Sequence, residues 1–194
     1  MATLIITTSR EPSRRTRSFV NDLVRVVPNS LRFNRGKATY KDLALLVKRQ
    51  NSRGVLMVME RKGNPSALKY LIPGSGQASL KTRYVVLIRS LKLLREVHEA
   101  QTPFNVDKLL LNASRTTLQG LLHEVYEVFT EIFNPELTSE RVASTEAIEL
   151  IIAGNGDDVN VSFYCTSTGR PCGPMFRVLK VIKADESAAP IPNY

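Results

Sequence analysis

A short apolar strand, small polar residues, the dipeptide Ser-Arg and then a helix occur twice in the chain. Residues 4–10 read LIITTSR and residues 109–115 read LLLNASR, with three identical positions. Each copy supplies the start of a strand–helix unit, and a repeat at this spacing indicates a duplicated half-molecule. Such a duplication would explain both the restart of the pattern and the length of the chain.

The remaining elements follow from hydrophobic spacing and turn residues. One helix is predicted from Ser13 to about Val24, and a second opens at Thr39, where Asp42 completes a capping-box pattern. A third helix begins near Thr117. The predicted strands cover residues 3–7, 31–33, 55–59, 68–72, 84–88, 109–111, 147–153, 159–165 and 176–182. Residues 185–194, rich in Ala and Pro, are predicted to form a mobile tail.

Charge is distributed very unevenly along the chain. Residues 1–95 contain 20 Lys and Arg against 4 Asp and Glu, a net charge of +16, whereas residues 96–194 contain 7 against 14, a net charge of −7. A basic surface of this strength favours a polyanionic partner. The acidic half carries Glu124, Glu127 and Glu131 on its predicted helix, which either face a basic protein partner or lie in water.

The first helix carries a face of arginines opposite its apolar face. Arg14, Arg15, Arg17 and Arg25 share this arc, and three of them lie in the first turn, where the helix dipole disfavours positive charge. Phosphate bound there would relieve the repulsion, so Arg10 and these first-turn arginines are predicted to bind nucleic acid. The alternative is an ordinary solvated helix face.

Two turns add further basic residues. Gly36 allows close approach of a backbone, and Asn and Ser side chains can hydrogen-bond phosphate, ribose or base edges. The alternative is that both are ordinary polar turns. The residues predicted to bind RNA in these turns are Asn29, Ser30, Arg32, Arg35, Gly36, Lys37, Lys62 and Asn64.

No catalytic or metal-binding pattern stands out. His98 and His123 are the only histidines, and neither has zinc-site spacing to the cysteines. The segment GSGQASLKT at 74–82 lacks the glycine that a phosphate-binding loop needs before its lysine. Cys165 and Cys172 are predicted to be free thiols, with a disulfide between them as the alternative. We therefore predict no enzyme activity, no cofactor and no metal.

The sequence contains no run long enough to span a membrane, and its first residues lack the basic start of a signal peptide. We therefore expect a soluble, cytoplasmic protein that does not bind membranes. A eukaryotic source would change that expectation to the nucleolus.

Several ordered motifs in the basic half resemble the N-terminal signature of the Brix domain family of ribosome-assembly factors. The motifs are residues 7–13 (TTSREPS), Arg15-Thr16-Arg17 with Phe19, Asp22-Leu23, Pro28-Asn29-Ser30, Arg35-Gly36-Lys37 and Lys62-Gly63-Asn64-Pro65. The resemblance implies a Brix domain over residues 1–184, with a basic half at 1–95 and an acidic half at 105–184. It also implies an α/β fold of two similar halves, each a mixed sheet with helices that resembles the anticodon-binding domain of class IIa aminoacyl-tRNA synthetases.

The resemblance further implies a role in ribosome biogenesis, with ribosomal RNA, precursor rRNA or small guide RNA as the partner. Family members from eukaryotes carry extensions that this chain lacks, which suggests a minimal archaeal version. Our hypothesis is a non-catalytic rRNA-binding factor in pre-rRNA processing and subunit assembly. The alternatives are an RNA-processing or RNA-modifying enzyme and a DNA-binding regulator.

Overall fold

The computed structural model describes residues 3–76, 78–112, 119–139 and 147–184. The second Ser-Arg dipeptide at Ser114 and Arg115, the helix start at Thr117 and the tail at 185–194 lie outside these residues. The described residues form an α/β fold of ten strands and three α-helices. In chain order the elements are β1 (Leu4–Thr8), α1 (Arg14–Val26), β2 (Ser30–Arg32), α2 (Tyr40–Arg49), β3 (Gly54–Arg61), β4 (Asn64–Pro73), β5 (Leu80–Lys92), a short 3-10 helix (Leu94–Glu96), β6 (Lys108–Asn112), α3 (Gly120–Phe133), β7 (Glu136–Thr138), β8 (Ala147–Asn155), β9 (Asp158–Cys165) and β10 (Met175–Lys183).

The ten described strands form a single sheet in the order β2-β1-β3-β4-β5-β10-β9-β8-β6-β7. β1 is parallel to its neighbours β2 and β3, and β6 is parallel to β7 and β8. The other neighbouring strands of this sheet are antiparallel. Because β5 pairs with β10 at the centre, the strands of residues 4–92 and 108–183 share one continuous mixed sheet. The sequence predicted a mixed sheet in each half and did not predict this junction.

Local sequence signals explain where α1 and α2 begin. The Ser13 hydroxyl accepts a hydrogen bond from the Thr16 amide at 3.1 Å, which caps α1. Thr39 and Asp42 form the predicted capping box, with the Thr39 amide donating to the Asp42 carboxylate at 2.8 Å. Both helix starts are therefore confirmed. No helix in the described ranges is long and apolar enough to cross a membrane.

The helices cover both faces of the sheet. α1 and α3 lie on one face, where Phe176 of β10 makes edge-to-face contacts with Phe19 and Phe129 at ring-centre distances of 5.8 Å. α2 lies on the opposite face, where Leu43 and Val47 pack on Ile5, Val55 and Met57. Successive residues of β1 point to opposite faces, so this one strand contributes to both cores.

Arg53, the residue just before β3, holds the end of α3. The Arg53 guanidinium donates to the main-chain carbonyls of Ile132 and Phe133 at 3.2 and 3.1 Å. These carbonyls lie at the negative end of the helix dipole, where a cation is favourable. Arg53 therefore stabilises α3 and fixes it against the start of β3.

The two cysteines are buried and free, as the sequence analysis predicted. Cys165 ends β9, and Cys172 is fully buried in the same apolar cluster. Burial raises the pKa of the Cys172 thiol, with a smaller contribution from Cys165. Both residues therefore act as small apolar side chains in the core.

Candidate nucleic-acid interface

The carboxyl ends of the parallel strands β1 and β2 open into a cleft of about 740 Å³. The chain leaves β1 toward α1 on one face of the sheet, and leaves β2 toward α2 on the opposite face. Neighbouring parallel strands whose connections diverge in this way leave a crevice between them, which is the usual ligand-binding position in open α/β sheets. The cleft is therefore a consequence of the strand order and the chain connections, independent of the side chains that line it.

Half of the residues predicted to bind RNA line this cleft. They come from the segment after β1, from α1, and from the end of β2 with the turn that follows it. They are Arg10, Arg17, Arg32, Arg35, Gly36 and Lys37. The other residues that line the cleft, including one carboxylate, were not predicted to bind RNA: they are Thr8, Glu11, Pro12, Val20, Phe33 and Asn34. The sequence signal that could have identified them is their position next to the predicted basic residues.

Arg35 is the most unusual of these residues because it is a buried cation, only 9% exposed. Its Nε donates to the Ala38 carbonyl at 3.3 Å, its Nη1 approaches the Met57 sulfur at 3.5 Å, and its guanidinium lies 5.1 Å from the centre of the Tyr40 ring. Within the described ranges it makes no ion pair with a carboxylate.

Burial lowers the pKa of Arg35, and the neighbouring positive charge of Arg10 lowers it further, while Tyr40 opposes the shift. A guanidinium nevertheless stays protonated in proteins. The positive charge of Arg35 is therefore surrounded by the neutral groups of Ala38, Tyr40 and Met57 and not by a carboxylate. Together with Arg10, it makes this part of the cleft positive.

Neutral acceptors hold two of the exposed arginines in the cleft. Arg17 donates from Nε and Nη2 to the Pro12 carbonyl at 3.1 and 2.9 Å. Arg32 donates to the side-chain oxygen of Asn21. These contacts orient both guanidinium groups without neutralising them, so their charge remains available to an anion. Arg10 and Lys37 are exposed beside them.

Arg15, which was predicted to bind RNA, lies outside the cleft and is paired within the chain. Its guanidinium forms a two-pronged ion pair with Glu96, in which Nη2 and Oε2 are 2.7 Å apart, and Nη2 also donates to the Leu91 carbonyl at 3.1 Å. The hydrogen bond from Arg15 lowers the pKa of Glu96. Arg15 is therefore already neutralised within the chain. Arg14 is exposed on α1 but does not line the cleft, and Arg25 lies 3.8 Å from Asp22.

The start of α1 also differs from the prediction of an open phosphate position. The Glu60 carboxylate accepts hydrogen bonds from the Ser13 amide at 2.9 Å and from the Thr16 hydroxyl at 2.6 Å. An acidic side chain from β3 thus supplies the negative charge that favours a helix N-terminus. The repulsion among the first-turn arginines is relieved inside the molecule.

Asn29 and Ser30 lie at the amino-terminal end of β2, whereas the cleft lies at its carboxyl end. Ser30 pairs with Leu4 at the start of β1, and its hydroxyl donates to the Val27 carbonyl at 2.7 Å. The main-chain carbonyl of Asn29 accepts from the Leu4 amide at 2.9 Å. The structure therefore does not bring these two residues to the cleft with Arg32 and Arg35.

Lys62 lies in the turn between β3 and β4, and Asn64 is the first residue of β4. The Ser13 hydroxyl donates to the Gly63 carbonyl of this turn at 2.8 Å, so the turn contacts the start of α1. Pro12, the residue before Ser13, lines the cleft. Lys62 and Asn64 are thus exposed near the cleft without lining it.

The acidic face of α3 is partly neutralised within the chain. Glu127 pairs with Lys183 at 2.8 Å, and Glu131 pairs with Arg83 at 3.4 Å while accepting from the Tyr84 hydroxyl. Two of the three predicted acidic residues therefore have basic partners on β5 and β10. Across the described ranges, no group of three or more His, Cys, Asp or Glu is placed to hold a metal.

Taken together, the fold and the cleft define an α/β protein with a cationic crevice at the carboxyl edge of a large mixed sheet. A scan against family models gave no match. A relative from Pyrobaculum aerophilum, named a probable Brix domain-containing ribosomal biogenesis protein, is 33% identical over 132 residues that cover 67% of each chain. The Aeropyrum pernix protein of the same name is 29% identical over 177 residues, covering 90% of this chain and 94% of its own. The chain belongs to the Brix domain family.

Solved structures agree with this assignment. The crystal structure of a probable ribosomal biogenesis protein from Aeropyrum pernix has a TM-score of 0.78 and 27% identity, covering 93% of this chain and 97% of that one. An archaeal Imp4-like protein has a TM-score of 0.63 at 20% identity, which supports the fold alone.

Proposed function

We propose that this protein is a non-catalytic ribosome biogenesis factor that binds ribosomal or precursor RNA through the cleft at the ends of β1 and β2. The observation that carries the proposal is the buried Arg35, which lacks a carboxylate partner in the described ranges and shares its cleft with Arg10, Arg17, Arg32 and Lys37. The names of the relatives supply the ribosomal context. We further propose that it acts in the cytoplasm, during pre-rRNA processing and subunit assembly.

The affinity in this proposal comes largely from release of counterions from RNA. If about five phosphates are neutralised, the logarithm of affinity should fall with the logarithm of salt concentration with a slope of roughly 3 to 5. Phosphate contacts carry little sequence information, so a small guide RNA would be held by the same residues. A basic ribosomal protein is a proposed second partner at the acidic face of α3, where Glu124 is half-buried.

We also propose that the molecule consists of two related halves, residues 1–95 and 105–184, each similar to a class IIa anticodon-binding domain. The sheet supports this idea because its strand order has the same pattern from either edge. In residues 1–95, β1 is parallel to β2 and β3, and β3 continues toward the centre of the sheet as an antiparallel hairpin with β4. In residues 105–184, β6 is parallel to β7 and β8, and β8 continues as an antiparallel hairpin with β9. Expression of residues 1–95 alone, followed by circular dichroism and thermal unfolding, tests whether this half folds independently.

The central test compares two variants that remove the same charge. Arg32→Gln with Lys37→Gln removes two cations from the cleft, whereas Lys48→Gln with Arg49→Gln removes two exposed cations from the far end of α2. Fluorescence anisotropy with an rRNA fragment at several salt concentrations measures affinity and slope. We expect the cleft variant to bind about tenfold more weakly and to lose about 2 from its salt slope.

The α2 variant should bind nearly as the wild type does. An equal loss in both variants would mean that only net charge matters, and a flat salt response would reject phosphate binding. Incubation of the wild type with labelled rRNA and divalent metal tests the non-catalytic claim, since cleavage or modification would contradict it. Preference for duplex DNA in competition would favour a DNA-binding regulator instead.

A further inference from the structure

We infer that the cleft holds one unpaired nucleotide of an RNA strand, with its phosphate on Arg35 and Arg10 and its base against Phe33. This inference rests on the proposed function and specifies the form of RNA that the cleft accepts. It is carried by three features of the cleft: a buried cation with unused donors, an apolar surface beside it, and backbone contacts that hold both in place.

The first feature is the unused donor capacity of Arg35. Its Nε and Nη1 are directed at Ala38 and Met57, whereas its Nη2 makes no hydrogen bond within the described ranges. In those ranges, the only fully buried side-chain nitrogen or oxygen without a partner is the Tyr126 hydroxyl. Nη2 is therefore not sealed in the core, and it reaches solvent through the cleft that Arg35 lines.

A buried cation without an opposite charge is unfavourable, and a bound anion would offset this cost. Arg10 and Arg35 line the same cleft, and the charge of Arg10 lowers the pKa of Arg35, so both cations act on an anion bound there. A guanidinium fork matches the geometry of a phosphate group. Arg35 and Arg10 are thus suited to bind one phosphate from below and from the rim.

The second feature is the apolar surface between the arginines. Pro12, Val20 and Phe33 line the same cleft as Arg10 and Arg35. A basic groove with an aromatic ring is the arrangement that binds single-stranded nucleic acid, because a base can stack while its phosphate is neutralised. A base in an A-form duplex is stacked inside the helix and cannot reach such a ring.

The third feature is the fixed backbone of Phe33. Its amide donates to the Ile6 carbonyl at 2.9 Å, and its carbonyl accepts from the Thr7 hydroxyl at 2.7 Å. Both partners belong to β1, so Phe33 continues the sheet pairing one residue beyond β2. The main chain of Phe33 is therefore fixed, and its side chain packs against the apolar cluster that contains Ile5, Val55 and Met57. A residue held in this way before RNA binds reduces the entropic cost of binding. Tyr40 is less suited to stacking because Arg35 and Lys69 already lie over its ring.

Binding of labelled RNA oligonucleotides tests this inference. A ten-nucleotide unstructured strand, the same strand in a full duplex, and the same strand with one abasic position are compared by anisotropy at a single salt concentration. We expect the single strand to bind at least about tenfold more tightly than the duplex, since one stacked base contributes a factor of this order or more. Moving the abasic position along the strand should show one position where affinity falls most.

Variants assign the effect to the cleft. Phe33→Leu keeps an apolar side chain and removes the ring, so single-strand affinity should fall about fivefold or more while duplex affinity stays the same. Arg35→Lys keeps the charge and removes the fork, and it should weaken single-strand binding. If circular dichroism shows that Arg35→Lys does not fold, the exposed Arg10→Gln tests the same phosphate position.

The outcomes separate this inference from the proposed function. Equal or tighter binding of the duplex, or a Phe33→Leu variant that loses nothing, would overturn the unpaired-nucleotide site while leaving RNA binding intact. No binding of either RNA form would instead defeat the proposed function itself.

Discussion

Arg15 on α1 and Glu96 after β5 form a two-pronged ion pair across 81 positions of sequence. The pair joins the start of a helix to the end of the longest described strand, with Leu91 as a further acceptor for the same guanidinium. Both side chains are about 30% exposed. Arg15 therefore contributes to the fold, although its position in the sequence suggested a role in binding.

This pair predicts a measurable coupling in stability. The single variants Arg15→Gln and Glu96→Gln and the double variant form a cycle that can be followed by urea unfolding. We expect a coupling free energy of about 0.5–1 kcal/mol, as for partly exposed ion pairs. Arg15→Gln should also keep wild-type affinity for RNA, and a loss as large as that of the cleft variant would return Arg15 to the binding site.

The same pair predicts a pH dependence. The pKa of Glu96 lies below its ordinary value of 4.5, chiefly because of the hydrogen bond from Arg15, so its stabilising effect is present above that value. The effect is lost as the pH falls through the lower folded-state pKa. The difference in unfolding free energy between wild type and Glu96→Gln should therefore be largest near neutral pH and shrink below about pH 4.5.

Glu99→Gln provides a matched control for this pH series because Glu99 is exposed and lies three residues further on. Its difference from the wild type should remain small at every pH. A Glu96→Gln difference that grows on acidification would contradict the assigned sign.

Arg53 predicts a larger effect on stability. Arg53→Met keeps the apolar stem and removes the charged hydrogen bonds to the last carbonyls of α3. Hydrogen bonds from a charged donor justify an expected loss of about 2–3 kcal/mol in the free energy of unfolding. Arg53→Lys should recover part of this loss, because it restores the charge at the helix end. Equal stability of Arg53→Met and wild type would contradict the role in holding α3.

The absence of a side chain at Gly173 allows Val26 of α1 and Phe163 of β9 to pack closely around it. A Cβ atom at this position would lie 2.7 Å from Cβ of Phe163 and 2.9 Å from Cγ1 of Val26. Both neighbours are fully buried, so neither can move away easily. Gly173→Ala should destabilise the protein by about 1–3 kcal/mol, the usual cost of overpacking. Thermal unfolding measures this directly, and an unchanged midpoint would show that the two elements can separate.

Local patterns predicted much of the fold. The Ser13 cap and the Thr39–Asp42 capping box depend on residues within one helical turn, and both are present. Hairpins such as that joining β8 and β9 follow from short apolar runs around glycine turns. The junction between β5 and β10 was not predictable in this way because its two strands are about 90 residues apart.

The same distinction applies to the candidate site. The charge of residues 1–95 predicted a basic surface, and Arg10, Arg32 and Arg35 do meet in one cleft. Parallel pairing of β1 and β2 decides which residues arrive there, and it places Ser30 at the opposite end. That register, like the Arg15–Glu96 pair, depends on long-range contacts that spacing along the chain does not reveal.

The position of β10 has a consequence for synthesis. This strand follows the other nine described strands in the chain, yet it lies between β5 and β9. While the ribosome is still making the protein, the edge of β5 has no partner and Phe19 lacks the ring of Phe176. The two parts of the sheet can therefore join only when β10 has left the exit tunnel. A nascent chain stalled before that point would expose the unpaired edge of β5, which can pair with strands of other chains and aggregate.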